Sequence, residues 1–294
     1  MSAQVNSVSP DTQLATLHDI IDLQRYPIHD LQDAKTQQVI QDCRERLDDD
    51  GCALIKNFLR PESIQRMQAE SDRLYDQTFW SEASHTPYFN KDDDSLAEDH
   101  PKRTFQRRSS GYINSDILEA DSDLRTIYTS PTVTRFVGEC LGIWPLYTWA
   151  DPLGCNPYSV MDEDHYFPWH FDGNDFTVSI LVTEADSGGI FEYAPDLRSR
   201  DNENFEGVKG VLNGSREGVR QLDLQQGDMQ IFKGRFSMHR VTKIEGKQRR
   251  VIALPTYVTD PFSVNRPAHS KHLYGRAEPI HYEREGHRPD SLTD

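Results

Sequence analysis

The chain has 294 residues, with 32 basic against 48 acidic side chains and a formal net charge of −16 at pH 7. This length suits one domain with a sizeable core. The acidic balance argues against a nucleic-acid partner, because phosphate binding needs clustered Lys and Arg. No run of about 18 apolar residues is present to span a membrane. We therefore expect a small-molecule substrate, with neither nucleic acid nor membrane as partner.

The cysteines and the first residues of the chain indicate the cellular compartment. The start, MSAQVNSVSP, is polar and lacks the apolar stretch of a secretory signal. The absence of any CxxC pair fits a reducing cytosol. We expect a cytoplasmic protein that is a monomer or a homodimer. The four cysteines are Cys43, Cys52, Cys140 and Cys155.

Residues 1–143 predict a supporting helical and loop region. Apolar residues at helical spacing predict a helix over 33–49, followed by a short strand over 52–59. Pro61 opens a second helix that runs to about Phe79. The polar, acidic residues 81–105 predict a long loop, either an active-site lid or a plain surface excursion. A further helix is expected near 131–141.

Residues 144–260 predict the core of a single catalytic domain, and residues 261–294 a C-terminal extension. Short apolar runs alternate here with Gly and Asp turns, which is typical of an antiparallel sandwich or barrel. We interpret residues 199–218 as an insertion between strands. The fold class is therefore mainly β with flanking helices. The runs cover residues 176–182, 190–193, 219–224, 229–232, 239–242 and 250–254.

The segment HYFPWHFDGND, residues 165–175, contains a His-x-Asp pair at His170 and Asp172. Residues two apart on a strand point to the same face, so an imidazole and a carboxylate project together. They suit two ligands of a 2-His-1-carboxylate triad, which leaves open positions on Fe(II). The structural alternative is a His–Asp hydrogen bond at a strand end.

His239 is the candidate for the third ligand. It begins a strand after a Gly227–Asp228 turn and an apolar run. Such a hairpin can bring the His239 side chain close to those of His170 and Asp172. The alternative is a histidine with a purely structural place on its strand. A rival pair, His281-x-Glu283, has no strand context, and we interpret it as part of the tail.

Arg250 is the candidate anchor for a keto-acid cosubstrate. Such a cosubstrate chelates iron at one end, and its distal carboxylate then needs a cation, for which guanidinium is the best partner. Strand parity places Arg250 and Thr256 on one face and Arg249 on the other. We choose Arg250, with Arg249 as the alternative; either could be a solvated charge at a strand end.

Four segments between roughly residues 145 and 260 resemble the Fe(II)/2-oxoglutarate-dependent oxygenases: HFDGND, SGGIFEYAP, GDMQIFKGRFSMHRVTKIEG and QRRVIALPTY. WHFDGNDF together with SGGIFEYAP is similar to the group that acts on free amino acids, which includes radical halogenases and hydroxylating relatives. The resemblance implies a double-stranded β-helix, or jelly roll, with Fe(II), 2-oxoglutarate and O2 as cofactors. It implies that His170, Asp172 and His239 bind iron as the catalytic centre, and that Arg250 anchors 2-oxoglutarate. Thr256, which strand alternation places beside Arg250 at the cofactor, also stands where a strand residue of the group lines the substrate.

The same resemblance suggests substrate contacts. An arginine that holds the substrate carboxylate is expected where this chain has Arg107 and Arg108. Asp175 and Glu192 are candidates for a cationic group, although either could be a turn or strand-surface carboxylate. Polar contacts expected for a lysine-like substrate are absent, since residue 167 is Phe and residue 254 is Leu.

We therefore expect a dioxygenase that hydroxylates an unactivated C–H bond of a small molecule, namely a free amino acid. Halogenation is the alternative within the group. In the radical halogenases a small residue replaces the carboxylate ligand, whereas this chain has Asp172. A different class of function is also possible, namely a non-catalytic jelly-roll binding module. The presence of both the triad and a distal arginine argues against it, because a binding module needs neither.

Overall fold

The structure, a computed structural model, describes residues 10–286. No helix in this range is long and apolar enough to cross a membrane. The helices are α1 Pro10–Ile20, α2 Ala34–Asp50, α3 Pro61–Leu74, α4 Asp123–Thr129, α5 Pro131–Leu141, α6 Phe205–Leu212, α7 Pro267–Tyr274 and α8 Pro279–Glu283. The strands are β1 Cys52–Ile55, β2 Phe79–His85, β3 Gln106–Ile113, β4 Tyr147–Thr148, β5 Tyr158–Met161, β6 Phe167–His170, β7 Thr177–Thr183, β8 Ser187–Gly188, β9 Phe191–Ala194, β10 Arg220–Leu222, β11 Met229–Phe232, β12 Met238–Val241, β13 Ile244–Glu245, β14 Arg250–Ala253 and β15 Tyr257–Val258.

Two antiparallel sheets form the core. The major sheet has seven strands in the order β1-β11-β7-β14-β5-β3-β2, and the minor sheet has four in the order β10-β9-β12-β6. Aromatic and aliphatic side chains fill the space between the sheets, among them Met161, Phe191 and Phe232. Together with the relatives described below, this confirms the expected jelly roll with flanking helices.

The N-terminal helices cover the outer face of the major sheet. The predicted helix over 33–49 is confirmed as α2, where Asp33 accepts a hydrogen bond from the backbone of Lys35. Gly51 ends α2 in the left-handed conformation, with φ of 71°. Because the strands beneath are buried on both faces, these helices support the sheet without reaching the space between the two sheets.

The structure corrects several predicted boundaries. The strand expected over 52–59 ends at Ile55, because the chain turns at Asn57, which has φ of 51°. The second helix ends at Leu74, not Phe79. The loop expected from residue 81 starts only after His85, since β2 pairs with β3 along its whole length. The insertion over 199–218 contains α6.

The C-terminal extension is anchored to the core through a buried hydrogen bond between side chains. His281 Nδ1 accepts from the backbone N–H of Glu278, so the ring donates from Nε2 to the carboxylate of Asp151, 3.0 Å away. Both side chains are fully buried. His281 therefore has a structural role, and the rival pair His281-x-Glu283 is not a metal site. Helix α7, which precedes α8 in the extension, packs against β2 and β3.

Candidate metal centre and its two cavities

Neighbouring strands of the minor sheet bring the predicted triad together. His170 on β6 lies directly opposite His239 on β12. Asp172 lies beyond the end of β6, because the strand ends at His170 and not further along as the parity argument assumed. Its backbone N–H donates to the carbonyl of Gly234, 3.0 Å away. One ligand atom from each of the three side chains lies within 4.8 Å of the others.

Backbone carbonyls orient both imidazoles. His170 Nδ1 donates to the carbonyl of Pro168 at 2.8 Å, and His239 Nδ1 donates to that of Ser237 at 3.0 Å. A carbonyl only accepts, so each Nδ1 carries the proton and each Nε2 presents a lone pair. The Nε2 atoms of His170 and His239 lie 3.8 and 3.4 Å from Asp172 Oδ1.

The charge states also suit a metal. Burial lowers the pKa of His170 well below its ordinary value, with a further contribution from His239, so the ring stays neutral. Burial opposes ionisation of Asp172, but the two imidazoles and a hydrogen bond from Thr177 still bring its pKa well below the usual range. Two neutral imidazoles and one carboxylate are the donor set that non-haem Fe(II) prefers. The residues present can therefore hold an iron ion.

Thr177 and Gly234 shape the carboxylate position, and the sequence analysis missed both. Thr177 Oγ1 donates to Asp172 Oδ2 at 2.6 Å, which leaves Oδ1 facing the histidines. A Cβ on residue 234 would lie 1.9 Å from Oδ2, so only glycine leaves room there. The Lys-Gly step after β11 is the one sequence signal that could have pointed to this contact.

Arg250 lines a cavity of about 420 Å³ between the sheets, together with Phe191. The Phe191 ring also lies 5.5 Å from that of His239. The guanidinium of Arg250 is buried and makes no hydrogen bond or ion pair with the described residues. Burial alone lowers its pKa to about 10. A Cβ on Gly189 would lie 2.9 Å from Arg250 Cδ, so the Gly-Gly step in SGGIFEYAP leaves space for this side chain.

A second cavity, of about 200 Å³, reaches His170 and Asp172 from another side. Thr256 lines this cavity and not the one with Arg250. The expectation that Thr256 and Arg250 contact the same cofactor is therefore corrected. The strand β14 ends at Ala253, so the alternation of side chains between its two faces does not extend to Thr256. Arg249, the alternative anchor, instead stacks over Tyr75 at 3.6 Å.

Of the two candidate arginines for the substrate, the structure buries only one. Arg107 is exposed and pairs with Glu82 at 2.6 Å. Arg108 is fully buried, and its guanidinium lies over the ring of Phe167 at 5.0 Å. Phe167 in turn lines the smaller cavity and stacks on His170 with ring centroids 3.9 Å apart. Arg108 therefore lies directly behind the cavity wall.

The two acidic candidates lie elsewhere. Glu192 stands between inward-facing Phe191 and Tyr193, so it projects to the opposite face of the minor sheet, where Arg240 contacts it at 2.6 Å. Asp175 pairs with Arg200 at 3.0 Å and lines neither cavity. We therefore correct the expectation of a substrate contact for both carboxylates.

The chain is similar to a known protein family and to several solved structures. The family model described as HalD, Halogenase D, matches residues 35–271. No curated protein matches the chain. The epimerase SnoN, solved with Fe3+, alpha ketoglutarate and nogalamycin RO, is 15% identical with a TM-score of 0.56, and the match covers 88% of this chain and 97% of that one.

Further solved structures share the fold at similar identity. The non-heme alpha ketoglutarate dependent carbocyclase SnoK is 12% identical, with a TM-score of 0.51 and coverage of 75% of this chain and 83% of that one. A prolyl hydroxylase from Trichoplax adhaerens is 14% identical, with a TM-score of 0.50 and coverage of 75% and 90%. At these identities the likeness concerns the fold alone.

We predict that Gly234→Ala weakens iron binding by roughly tenfold or more, because the added Cβ displaces the Asp172 carboxylate. Gly210→Ala is the matched control, since a Cβ there meets only Ser215 Cβ at 3.9 Å. Anaerobic Fe(II) titration measures the affinity, and thermal unfolding checks that both variants fold. Equal iron affinity in the two variants would contradict the position given to Asp172.

We predict that Arg250→Lys weakens the binding of 2-oxoglutarate by roughly tenfold, because an ammonium cannot form the paired hydrogen bonds of a guanidinium. Arg249→Lys is the neighbouring control and should bind 2-oxoglutarate as the unmodified protein does. Calorimetry with the Fe(II) protein under anaerobic conditions gives both affinities. The reverse pattern, with loss only in Arg249→Lys, would show that the anchor is Arg249.

Proposed function

This chain belongs to the Halogenase D family, within the Fe(II)/2-oxoglutarate oxygenases, and from that premise we propose that it hydroxylates an unactivated C–H bond of a free amino acid. The cofactors are Fe(II), 2-oxoglutarate and O2. The observation that carries the choice of hydroxylation is the ionised carboxylate of Asp172, which lies beside both histidines.

Each residue of the site has a distinct role in this reaction. Iron with 2-oxoglutarate and O2, when bound, supplies an oxidant that removes hydrogen from carbon and returns hydroxyl, while 2-oxoglutarate is converted to succinate and CO2. His170, Asp172 and His239 hold the metal and leave its remaining positions open. Arg250 holds the distal carboxylate of 2-oxoglutarate in the larger cavity. Aromatic side chains, among them Phe89, Phe167 and Phe171, line the smaller cavity on the substrate side.

The arginine behind that wall positions the substrate. Arg108 is a buried cation for which the described residues provide no acidic partner. A substrate carboxylate that reaches it would supply the missing counter-charge. Arg107 has its partner in Glu82 on the protein surface, and we assign it no part in the reaction.

Halogenation is the second candidate, and the name of the matching family favours it. In the radical halogenases a small residue replaces the carboxylate ligand, and the vacated position admits a halide. In this chain Asp172 occupies that position, with Thr177 holding one oxygen and Gly234 holding the backbone. A halide would have to displace an anion that the chain itself holds at high effective concentration, which disfavours it.

We predict that turnover in excess chloride and bromide gives only the hydroxylated product, with a mass increase of one oxygen atom. Mass spectrometry reads the halide isotope pattern directly, and a screen of free amino acids supplies the substrate. Asp172→Gly should open the metal position, so that chloride shifts the absorption of its Fe(II)–2-oxoglutarate complex. A chlorinated or brominated main product from the unmodified enzyme would overturn the proposal.

A further inference from the structure

The loop that carries the carboxylate ligand belongs to neither sheet. It covers residues 171–176, between the end of β6 at His170 and the start of β7 at Thr177. Its centre, Gly173-Asn174-Asp175, is made of residues that favour turns and tolerate many backbone conformations. Contacts from outside the loop therefore decide where the side chain of Asp172 points.

A buried arginine from a neighbouring turn holds this loop. Arg235 follows Gly234 in the turn between β11 and β12, and only 1% of its surface is exposed. Its Nη1 atom donates to the backbone carbonyl of Gly173 at 2.7 Å. Because guanidinium is charged, this hydrogen bond is stronger than one between neutral groups. The carbonyl that Arg235 holds belongs to the residue directly after Asp172.

The same arginine also contacts the loop further along the chain. Arg235 Nε lies 3.6 Å from a carboxylate oxygen of Asp175, which pairs with Arg200 at 3.0 Å as well. Arg235 thus meets the loop at two points, at Gly173 and at Asp175. Asp175 lines neither cavity, and its carboxylate contributes to this contact instead.

A second buried arginine supports the first one. Arg198, in the connection between β9 and α6, donates from Nε to the backbone carbonyl of Arg235 at 2.7 Å. Its guanidinium lies over the ring of Phe171, 4.1 Å from the centroid, and pairs with Glu203 at 3.0 Å. Phe171 directly precedes Asp172, so the two arginines contact the residues on both sides of the ligand. We call Arg198 and Arg235 the arginine clasp.

We propose that the arginine clasp positions Asp172 for the metal, with Arg235 as its principal residue. The two histidine ligands lie on paired strands, whereas Asp172 lies in a loop that depends on single hydrogen bonds. Without the hydrogen bond from Arg235, the glycine next to Asp172 is free to change conformation, and the carboxylate can turn away from the histidines. Arg235 is a positioning residue, since it contacts a neighbour of the ligand and not the metal.

The clasp also affects the choice between hydroxylation and halogenation. A halide competes with Asp172 for one position on the metal, and the loop sets the effective concentration of the carboxylate at that position. A loosened loop lowers this effective concentration, although the carboxylate itself is still present. Loss of the clasp should therefore have part of the effect of removing Asp172.

Arg235→Met tests the proposal, because it removes the N–H donors and keeps an unbranched side chain in the buried space. We expect the Fe(II) affinity to fall by roughly tenfold to hundredfold, the usual effect of losing a residue that orients a metal ligand. We also expect chloride to shift the absorption of the Fe(II)–2-oxoglutarate complex, as in Asp172→Gly. Anaerobic titrations measure both quantities, and the unmodified protein should show no chloride shift.

Two further variants separate positioning from a general loss of stability, which thermal unfolding measures in each. Arg235→Lys keeps a cationic donor and should recover most of the iron affinity, with little response to chloride. Arg216→Met is the matched control, since Arg216 pairs with Glu192 at 3.2 Å on the outer face of the minor sheet, and it should behave as the unmodified protein. A folded Arg235→Met variant with full iron affinity and no response to chloride would overturn the proposal.

Asp175→Asn gives a second test that leaves both buried arginines in place. It removes a partly exposed charge that Arg235 and Arg200 contact. We expect the iron affinity to fall by roughly threefold, which is within the range for such an ion pair. Asp201→Asn, at an exposed position nearby, is the control. If Arg235→Met does not fold, equal iron affinity in these two variants would overturn the proposal.

These readouts need neither O2 nor a substrate, so they do not depend on the product. The inference rests on Asp172 as a metal ligand, as the proposed function does, and the two fail in different ways. If chloride has no effect on Asp172→Gly, the role of Asp172 is refuted and the proposed function with it. If Asp172→Gly responds to chloride and Arg235→Met does not, only the arginine clasp is refuted.

Discussion

The cross-strand contact between His170 and His239 is the interaction on which the rest of the site depends. The two residues face each other on adjacent strands of the minor sheet, so the pairing of β6 with β12 sets the separation of their rings. The carboxylate of Asp172 joins them only because the chain turns after β6 and hydrogen-bonds Gly234. The metal centre is thus built largely from backbone geometry, and a rigid sheet holds it ready for an ion.

Two buried arginines flank this centre, and each lacks an acidic partner among the described residues. Arg250 serves the cavity between the sheets, while Arg108 lies behind the wall of the smaller cavity. Isolated buried cations are costly in an unliganded protein, so each indicates an anionic ligand. Although the whole chain carries a net charge of −16, a buried guanidinium thus lies at each of the two places where a carboxylate is expected to bind.

The sequence allowed the jelly roll and the grouping of His170, Asp172 and His239 to be predicted, because strand alternation and the resemblance agree there. For Asp175 and Glu192 it left two alternatives open, a substrate contact and a surface carboxylate. The alternation of Glu192 with the apolar Phe191 and Tyr193 already favours the outer face of the strand. The strand β2 was also missed, since it lies at the start of a segment too polar to be interpreted as a strand.

The central claim, that this triad holds iron in reach of 2-oxoglutarate, is tested most directly by anaerobic titration of Fe(II) into the protein with 2-oxoglutarate present. Chelation of iron by the keto acid produces a charge-transfer absorption in the visible range. The account predicts that this absorption saturates at one iron per chain and is lost in His239→Ala. Absence of the absorption in the unmodified protein, or its full retention in His239→Ala, would contradict the account.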